Sequence, residues 1–411
     1  MVTQAKKLNI NTRGLKNFLA VIYKALFKTL SVRFSVKNKQ TAMYTEIHQQ
    51  PEIISAILKR HLPQEAPVTG FDFDRDILLN ISNIYIVASG SSRNIGGIAR
   101  YFIEKTAKIP TFVEYASEFA HKNVNLKQND LVIGISQSGE TADTYQALKL
   151  AKDKGAITVA LTNNVNSKIH TLADYKIYVG AGAEKSVAAT KSFTAQLLLM
   201  YILGIYLAEN NSSTSKEELD GFKKELFEVS KNLSLIFRQE SEIEKVAKNI
   251  QKAKSLVILG RGVSSAVAKE GALKIKETCY IDANGYPSGE FLHGHMAFID
   301  KKVPVISIIC KSLGCKSANS DENYGLAFAN TLEIKKKRNP ELIIIKNYSD
   351  KEIQSDKLLA KSVFLDIPDC SEEISPFYTA VLLQLLALKT AERLKRNVDN
   401  PRNLQKAVIR E

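Results

Sequence analysis

Residues 131–141 read Leu-Val-Ile-Gly-Ile-Ser-Gln-Ser-Gly-Glu-Thr, and this stretch decides the fold. A short apolar run is followed at once by small hydroxylic residues and a glycine. The run is too short for a helix and too continuous for a half-exposed strand. It therefore predicts a strand that is buried on both faces, a tight turn, and a helix that continues to Lys152.

The turn after this strand has the chemistry of a phosphate site. Its hydroxyls, amide and glycine surround the start of a helix, whose free N–H groups favour anions. The P-loop pattern Gly-x-x-x-x-Gly-Lys-Ser/Thr does not occur in the sequence, which argues against a nucleoside triphosphate. A serine that only caps the helix is the alternative for the same residues. The candidate phosphate contacts are Ser136, Gln137, Ser138 and Thr141.

The same alternation of apolar runs and helices extends in both directions. In the first half, residues 84–87 and 156–161 are apolar runs, and the first of them leads into the hydroxylic turn Ser89–Ser92. Further apolar runs occupy 256–259, 305–309 and 342–345. This pattern is typical of α/β chains. We predict two doubly wound parallel sheets in tandem, each a copy of one fold.

The composition along the chain suggests five segments. A basic N-terminal extension precedes a first sheet-containing subdomain, a Lys- and Glu-rich helical connector, a second subdomain and a polar tail. We place them at residues 1–42, 43–210, 211–250, 251–395 and 396–411. The apolar run Leu197–Leu207 is too short for a membrane span, so a buried or interface helix is expected.

The net charge of +14 lies mostly in the extension. Residues 1–42 hold nine Lys or Arg and no acid, which leaves 48 basic against 43 acidic residues elsewhere. No basic stripe with interleaved aromatics runs along the body, so we expect no nucleic acid partner. Residues 15–30 have the pattern of an amphipathic helix, as in a transit peptide or a membrane-surface helix. The alternative is that Met43 is the working start.

The cysteines and histidines do not predict a metal site. Four cysteines are too few for a disulfide framework, and Cys310 and Cys315 have no second pair nearby. Free thiols in a reducing cytoplasm are expected, with no metal and no cofactor. His293 and His295 share a glycine-bearing loop but have no third ligand at a recognisable spacing. Two roles therefore stay open for this loop: a single histidine that acts on a sugar hydroxyl, or a histidine that is only structural.

Residues 270–277 predict a helix with a charged face. Glu270, Lys274 and Glu277 are spaced so that they share that face. A carboxylate beside an ammonium suits proton abstraction next to a carbonyl. A solvated row of salt bridges is the alternative. Lys406, by contrast, has no distinctive chemistry of its own, and a tail lysine is usually exposed to solvent.

Together these segments resemble the SIS (sugar isomerase) domain family, most closely the isomerase half of the glucosamine-6-phosphate synthases. The resemblance covers about residues 43–411. The matching motifs, in the family's order, are residues 136–141, 184–191, 270–277, 289–294 and 399–404. It implies two flavodoxin-like subdomains and a hexose or hexosamine monophosphate as ligand.

The resemblance also implies roles for individual residues. Glu277 would move the proton between C1 and C2, with Lys274 and Glu270 beside it. His293 would assist ring opening from the neighbouring subunit of a homodimer. Lys406 would form a Schiff base with the open-chain ketose. The residues implied to hold the phosphate and sugar are Ser92, Ser136, Gln137, Ser138, Thr141, Val187 and Arg402.

Departures from the synthase pattern shape the expected activity. No segment resembles the synthases' glutaminase domain, whose nucleophile is an N-terminal cysteine, so we expect no glutamine hydrolysis. Ala189 stands where the synthases usually carry a serine. In this it resembles the stand-alone deaminases. We expect interconversion of glucosamine 6-phosphate and fructose 6-phosphate with free ammonia. The alternatives are an ammonia-fed synthase, a ketosamine-phosphate deglycase, and a non-catalytic protein that senses sugar phosphates.

Overall fold

The computed structural model describes residues 40–63, 66–313 and 320–408. From Ala42 onward the chain forms one compact unit. The amphipathic helix predicted at 15–30, and nearly all of the N-terminal extension, lie outside the described residues.

The first half is built on a parallel sheet with strand order β2-β1-β3-β4-β5. Every residue of β3 is buried, as its unbroken apolar run predicts. The strands are β1 Asn83–Ala88, β2 Thr111–Tyr115, β3 Asp130–Ser136, β4 Ile157–Thr162 and β5 Tyr175–Tyr178. The helices are α1 Ala42–His48, α2 Gln50–His61, α3 Arg75–Asn80, α4 Gly90–Thr106, α5 Ala116–Phe119, α6 Ala142–Asp153, α7 Lys168–Leu172 and α8 Lys191–Asn211.

The second half repeats this arrangement. Its parallel sheet has the order β10-β9-β8-β6-β7, which is the order of the first sheet when its strands are counted from β6. The strands are β6 Ser255–Gly260, β7 Asp282–Pro287, β8 Val305–Ile309, β9 Leu342–Asn347 and β10 Val363–Ile367. The helices are α9 Lys216–Phe237, α10 Glu240–Ile250, α11 Val263–Cys279, α12 Ser288–Phe291, α13 Ser320–Arg338, α14 Glu352–Ser355 and α15 Ser375–Arg393, with a 3₁₀ turn at His295–Phe298. The predicted fold of two doubly wound sheets in tandem is therefore confirmed.

The two sheets share one core. A single cluster of buried residues takes in the inward side chains of both sheets together with α4, α8, α11 and α15, whereas the outer face of each sheet has its own smaller cluster. Helix α8 is 21 residues long, nearly twice the apolar run seen in the sequence. By length and composition it could cross a membrane, but 89% of its apolar window is buried inside the protein.

The topology sets where a ligand can bind. In the first sheet the strand order reverses between β1 and β3, and in such folds ligands bind at the carboxyl ends of the strands on either side of that point. The turn after β1 opens α4, and the loop after β3 opens α6. The hydroxylic loop at 136–141 and the turn Ser89–Ser92 are therefore neighbours at one edge of the sheet.

Candidate active site

The loop after β3 turns its hydroxyls inward. The Ser136 Oγ accepts a hydrogen bond from the Gly139 N–H at 3.0 Å and lies 2.9 Å from the Thr141 Oγ1. The Ser138 Oγ accepts from the Glu140 N–H at 3.1 Å. Thr141 is the N-cap residue of α6 but makes no side-chain capping bond, so the serines shape the loop instead of capping the helix.

Gly139 is required by the conformation of this loop. Its φ of +70° lies in the left-handed region, and a Cβ there would collide with the Ser167 hydroxyl. A cavity of about 440 Å³ opens beside the loop. Its lining residues are Gln137, Ser138, Glu140, Asn163, Asn164, Tyr178, Gly182, Ala183 and Ala407. The last of these comes from the C-terminal tail, so the tail and the loop share one cavity.

The charged face predicted on α11 is present, and two of its three members are buried. The Lys274 Nζ lies 2.5 Å from Glu277 Oε2 and 3.6 Å from Glu270 Oε1. The side chains of Lys274 and Glu270 are each 1% exposed, whereas that of Glu277 is 21% exposed. This burial removes the alternative of a solvated row of salt bridges. Glu277 is the member of the set that reaches solvent.

Burial governs the ionisation of the two hidden groups. It raises the pKa of the Glu270 carboxyl, and the Lys274 ammonium offsets this only in part. For Lys274, burial alone would lower the pKa, but the Glu277 and Glu270 carboxylates outweigh burial and raise it. Lys274 therefore remains an ammonium, a fixed positive charge beside Glu277.

Two residues that sequence reasoning missed hold Glu270 in place. The Ser91 hydroxyl donates to Glu270 Oε1 at 2.9 Å, and the Asn94 amide donates to Oε2 at 2.8 Å. Both lie near the start of α4, Ser91 in its first turn and Asn94 in its second. They join the turn after β1 to the charged face of α11. Ser92, the predicted member of this turn, is half-buried. Polar side chains in the first two turns of the helix that follows a buried strand were the available signal.

Glu277 opens into a second cavity, of about 490 Å³, at the end of α11. Tyr280 and Arg402 line it as well. The Arg402 guanidinium lies 4.3 Å above the Tyr280 ring, and its backbone N–H donates to the Tyr280 hydroxyl at 2.8 Å. Arg402 is exposed and shares this cavity with Glu277, whereas the hydroxylic loop lines the other.

The C-terminal tail carries Lys406 into the site. Its Nζ lies 2.6 Å from the Glu184 carboxylate and 2.6 Å from the Ser186 carbonyl oxygen. The Val187 N–H donates to the Asp399 carbonyl, so in this arrangement the tail already uses that group. The expectation that a tail lysine is free in solvent is wrong for Lys406. The Glu184 carboxylate also contributes to the raised pKa of Lys274, so the tail contact and the α11 face are close enough to interact.

The histidine loop follows α12. His293 is exposed, and the ring of His295 is 4.4 Å from that of Tyr286. Within residues 40–63, 66–313 and 320–408, no group of three or more His, Cys, Asp or Glu side chains is arranged to hold a metal ion. The structure thus joins the hydroxylic loop to the tail in one cavity and the α4 turn to the α11 face, whereas Glu277 lines a separate cavity.

Comparison with known proteins identifies the family. The sequence model of the SIS domain matches residues 77–206 and again residues 249–391. The chain belongs to the SIS domain family. The two matches coincide with the two sheets, so each sheet is one SIS repeat.

Relatives of known name fit this assignment. The SIS chain is 39% identical over 368 residues to a glutamine–fructose-6-phosphate aminotransferase (isomerizing) of Aquifex aeolicus, covering 89% of the chain and 57% of that protein. It thus spans little more than half of that relative's length. The C-terminal domain of glucosamine-fructose-6-phosphate aminotransferase from Francisella tularensis superposes with a TM-score of 0.81 at 30% identity, covering 88% of this chain and 99% of that one.

A more distant structure shares the fold. Glucosamine-6-phosphate deaminase from Thermotoga maritima superposes with a TM-score of 0.68 at 20% identity, covering 90% of the SIS chain and all of the deaminase chain. At 20% identity this superposition shows a shared fold alone.

Proposed function

We propose that this chain interconverts glucosamine 6-phosphate and fructose 6-phosphate, releasing or taking up free ammonia. The balanced reaction is glucosamine 6-phosphate and water giving fructose 6-phosphate and ammonia. The arrangement of Lys274 and Glu277 carries this proposal. A carboxylate that reaches a cavity, fixed by a buried ammonium at 2.5 Å, is suited to moving a proton between two adjacent carbons.

The hydroxylic loop supplies the binding part of the proposal. Ser136, Ser138 and Thr141 together with the start of α6 offer donors to the three terminal oxygens of a phosphate monoester. Gln137, Ser138 and the tail residue Ala407 line the cavity beside this loop. In the proposal, the carbon chain of the bound sugar reaches Glu277, which lines the second cavity.

In the proposed reaction Glu277 removes the proton from C2 of the open-chain amino sugar and returns it at C1. The Lys274 ammonium offsets the negative charge that develops on the enolised carbons. Water then adds at C2 and ammonia leaves. When a ketose binds instead, the Lys406 amine attacks its C2 carbonyl, a water molecule departs, and an imine joins the two.

We assign ring opening to His293 of a second copy of the chain. The residue is exposed, as expected of a residue that serves a neighbour. A homodimer with shared active sites is therefore part of the proposal.

The test is a coupled assay run in both directions. Purified protein with glucosamine 6-phosphate is expected to release ammonia and fructose 6-phosphate, and added glutamine is expected to change nothing. Glu277→Gln should lower turnover by about 10²–10⁴-fold, because it removes the base. It should leave the affinity for fructose 6-phosphate, measured by calorimetry, within twofold of wild type. Glu242→Gln, an exposed glutamate on α10, is the control.

Two outcomes would contradict the proposal. Binding of hexose phosphates without turnover in either direction would favour a sugar-phosphate sensor. Turnover that survives Glu277→Gln would remove the proposed base. Wild-type activity only in the direction of synthesis would assign the chain as an ammonia-fed synthase, which uses the same base.

A further inference from the structure

The charge of Lys406 meets a carboxylate that is fully enclosed by the protein. The Glu184 side chain has no exposed surface, and the Lys406 side chain is 28% exposed. The ammonium also donates to the Ser186 carbonyl oxygen. A buried ionic contact of this kind is screened little by salt, so it can hold a chain segment in place.

Glu184 is also held by groups that do not belong to the tail. Its Oε1 accepts from the Thr190 and Ser192 N–H groups at 3.0 and 3.1 Å, and its Oε2 accepts from the Ser192 hydroxyl at 2.7 Å. These groups form the start of α8, where a helix favours negative charge. Burial alone would raise the pKa of Glu184, but the Lys406 ammonium and these hydrogen bonds outweigh burial and hold it below its usual value.

The contact lies between two backbone hydrogen bonds of the tail. On one side the Val187 N–H donates to the Asp399 carbonyl at 3.0 Å, and on the other the Ala142 N–H donates to the Val408 carbonyl at 3.3 Å. In between, Ala407 lines the cavity beside the hydroxylic loop. The Glu184–Lys406 ion pair therefore holds the part of the tail that lines this cavity.

We propose that Glu184 is the positioning residue for the C-terminal tail, holding Lys406 at the sugar-phosphate cavity before the substrate binds. The importance of this position for catalysis rests on the proposed function, in which Lys406 is the attacking amine. An ammonium has no lone pair, so the contact is a resting state. Lys406 must lose a proton and leave Glu184 before its nitrogen bonds to a carbonyl carbon.

Limited trypsin digestion tests this without relying on turnover. Trypsin cleaves after Arg402, which lies in the tail, and mass spectrometry of all released peptides that begin at Asn403 gives the rate, whether or not Lys406 is also cleaved. Glu184→Gln should accelerate this cleavage at least tenfold, because the neutral amide no longer binds the ammonium. Ser192→Ala is the matched control: it removes a hydrogen bond to the same carboxylate but keeps its charge, and it should change the rate by less than twofold.

A second variant protects the test against misfolding of the first. Lys406→Gln leaves Glu184 and the start of α8 unchanged and should accelerate cleavage as much as Glu184→Gln. Wild-type rates in both variants would overturn the inference, as would equal acceleration by Ser192→Ala. If the wild-type protein turns over no sugar phosphate, the proposed function fails, while the digestion result still decides the role of Glu184.

Discussion

A buried carboxyl in the second SIS repeat leads to a quantitative prediction about stability. Glu372 is 8% exposed, and its Oε1 accepts a hydrogen bond from the Asn323 amide at 3.3 Å. Burial, followed by the neighbouring Glu373 charge, raises the pKa of Glu372 from 4.5 to about 7. Lys105, which pairs with Glu373 at 2.6 Å, offsets this only in part.

The direction of the effect follows from the raised pKa. In the folded chain the Glu372 carboxyl keeps its proton up to about pH 7, whereas in the unfolded chain it ionises near 4.5. The stabilising contribution of the protonated Glu372 carboxyl to the free energy of unfolding is therefore fully present below pH 4.5 and is lost as the pH rises through 7. Since each pH unit between these values corresponds to about 1.4 kcal/mol, the loss amounts to roughly 3 kcal/mol by pH 8.

Glu372→Gln removes this loss, because an amide of the same shape does not ionise and can still accept from Asn323. The variant should match wild type in free energy of unfolding near pH 4 and exceed it by roughly 3 kcal/mol at pH 8. Urea denaturation followed by circular dichroism at a series of pH values measures the difference. Glu322→Gln, an exposed glutamate on α13, should stay within about 0.5 kcal/mol of wild type throughout.

The pH dependence decides whether this reasoning is correct. A gap between Glu372→Gln and wild type that is the same at every pH would indicate a change in packing and refute it. So would a gap that grows as the pH falls.

Two further predictions concern the candidate active site. Glu270→Ala takes away one of the two carboxylates that compensate buried Lys274 and should lower the free energy of unfolding by about 3–5 kcal/mol; an unchanged urea midpoint would contradict the buried charge cluster. Gly139→Ala places a methyl group against the Ser167 hydroxyl and should weaken fructose 6-phosphate binding at least tenfold by calorimetry. Gly155→Ala, which also changes a residue of positive φ but makes only an ordinary contact with the Gln128 side chain at 3.9 Å, should bind as wild type does.

The sequence predicted the central strands and missed the outer ones. Six apolar runs became β1, β3, β4, β6, β8 and β9, whereas β2, β5, β7 and β10, which form the ends of the two sheets, had no such run. An end strand pairs on one side only and keeps part of its surface in solvent, so its sequence need not be apolar. Strand β7 reads Asp-Ala-Asn-Gly-Tyr-Pro, yet it pairs along its whole length with β6.

The candidate site was predictable where its chemistry is local. The shared face of Glu270, Lys274 and Glu277 follows from helical spacing alone. Their burial does not, because it depends on elements far along the chain, such as the Ser91 hydroxyl that contacts Glu270. The partner of Lys406 was hidden for the same reason, since Glu184 is more than two hundred residues away in sequence.

The apolar interior that the two sheets have in common couples the stabilities of the two repeats. Each sheet has its own small cluster on its outer side, but the largest buried surface belongs to both. Separating one repeat from the other would expose the inner side of its sheet to water, a loss that the outer cluster is too small to compensate. We therefore expect the two repeats to unfold in one cooperative transition, in which a destabilising substitution in either repeat lowers the folded population of both.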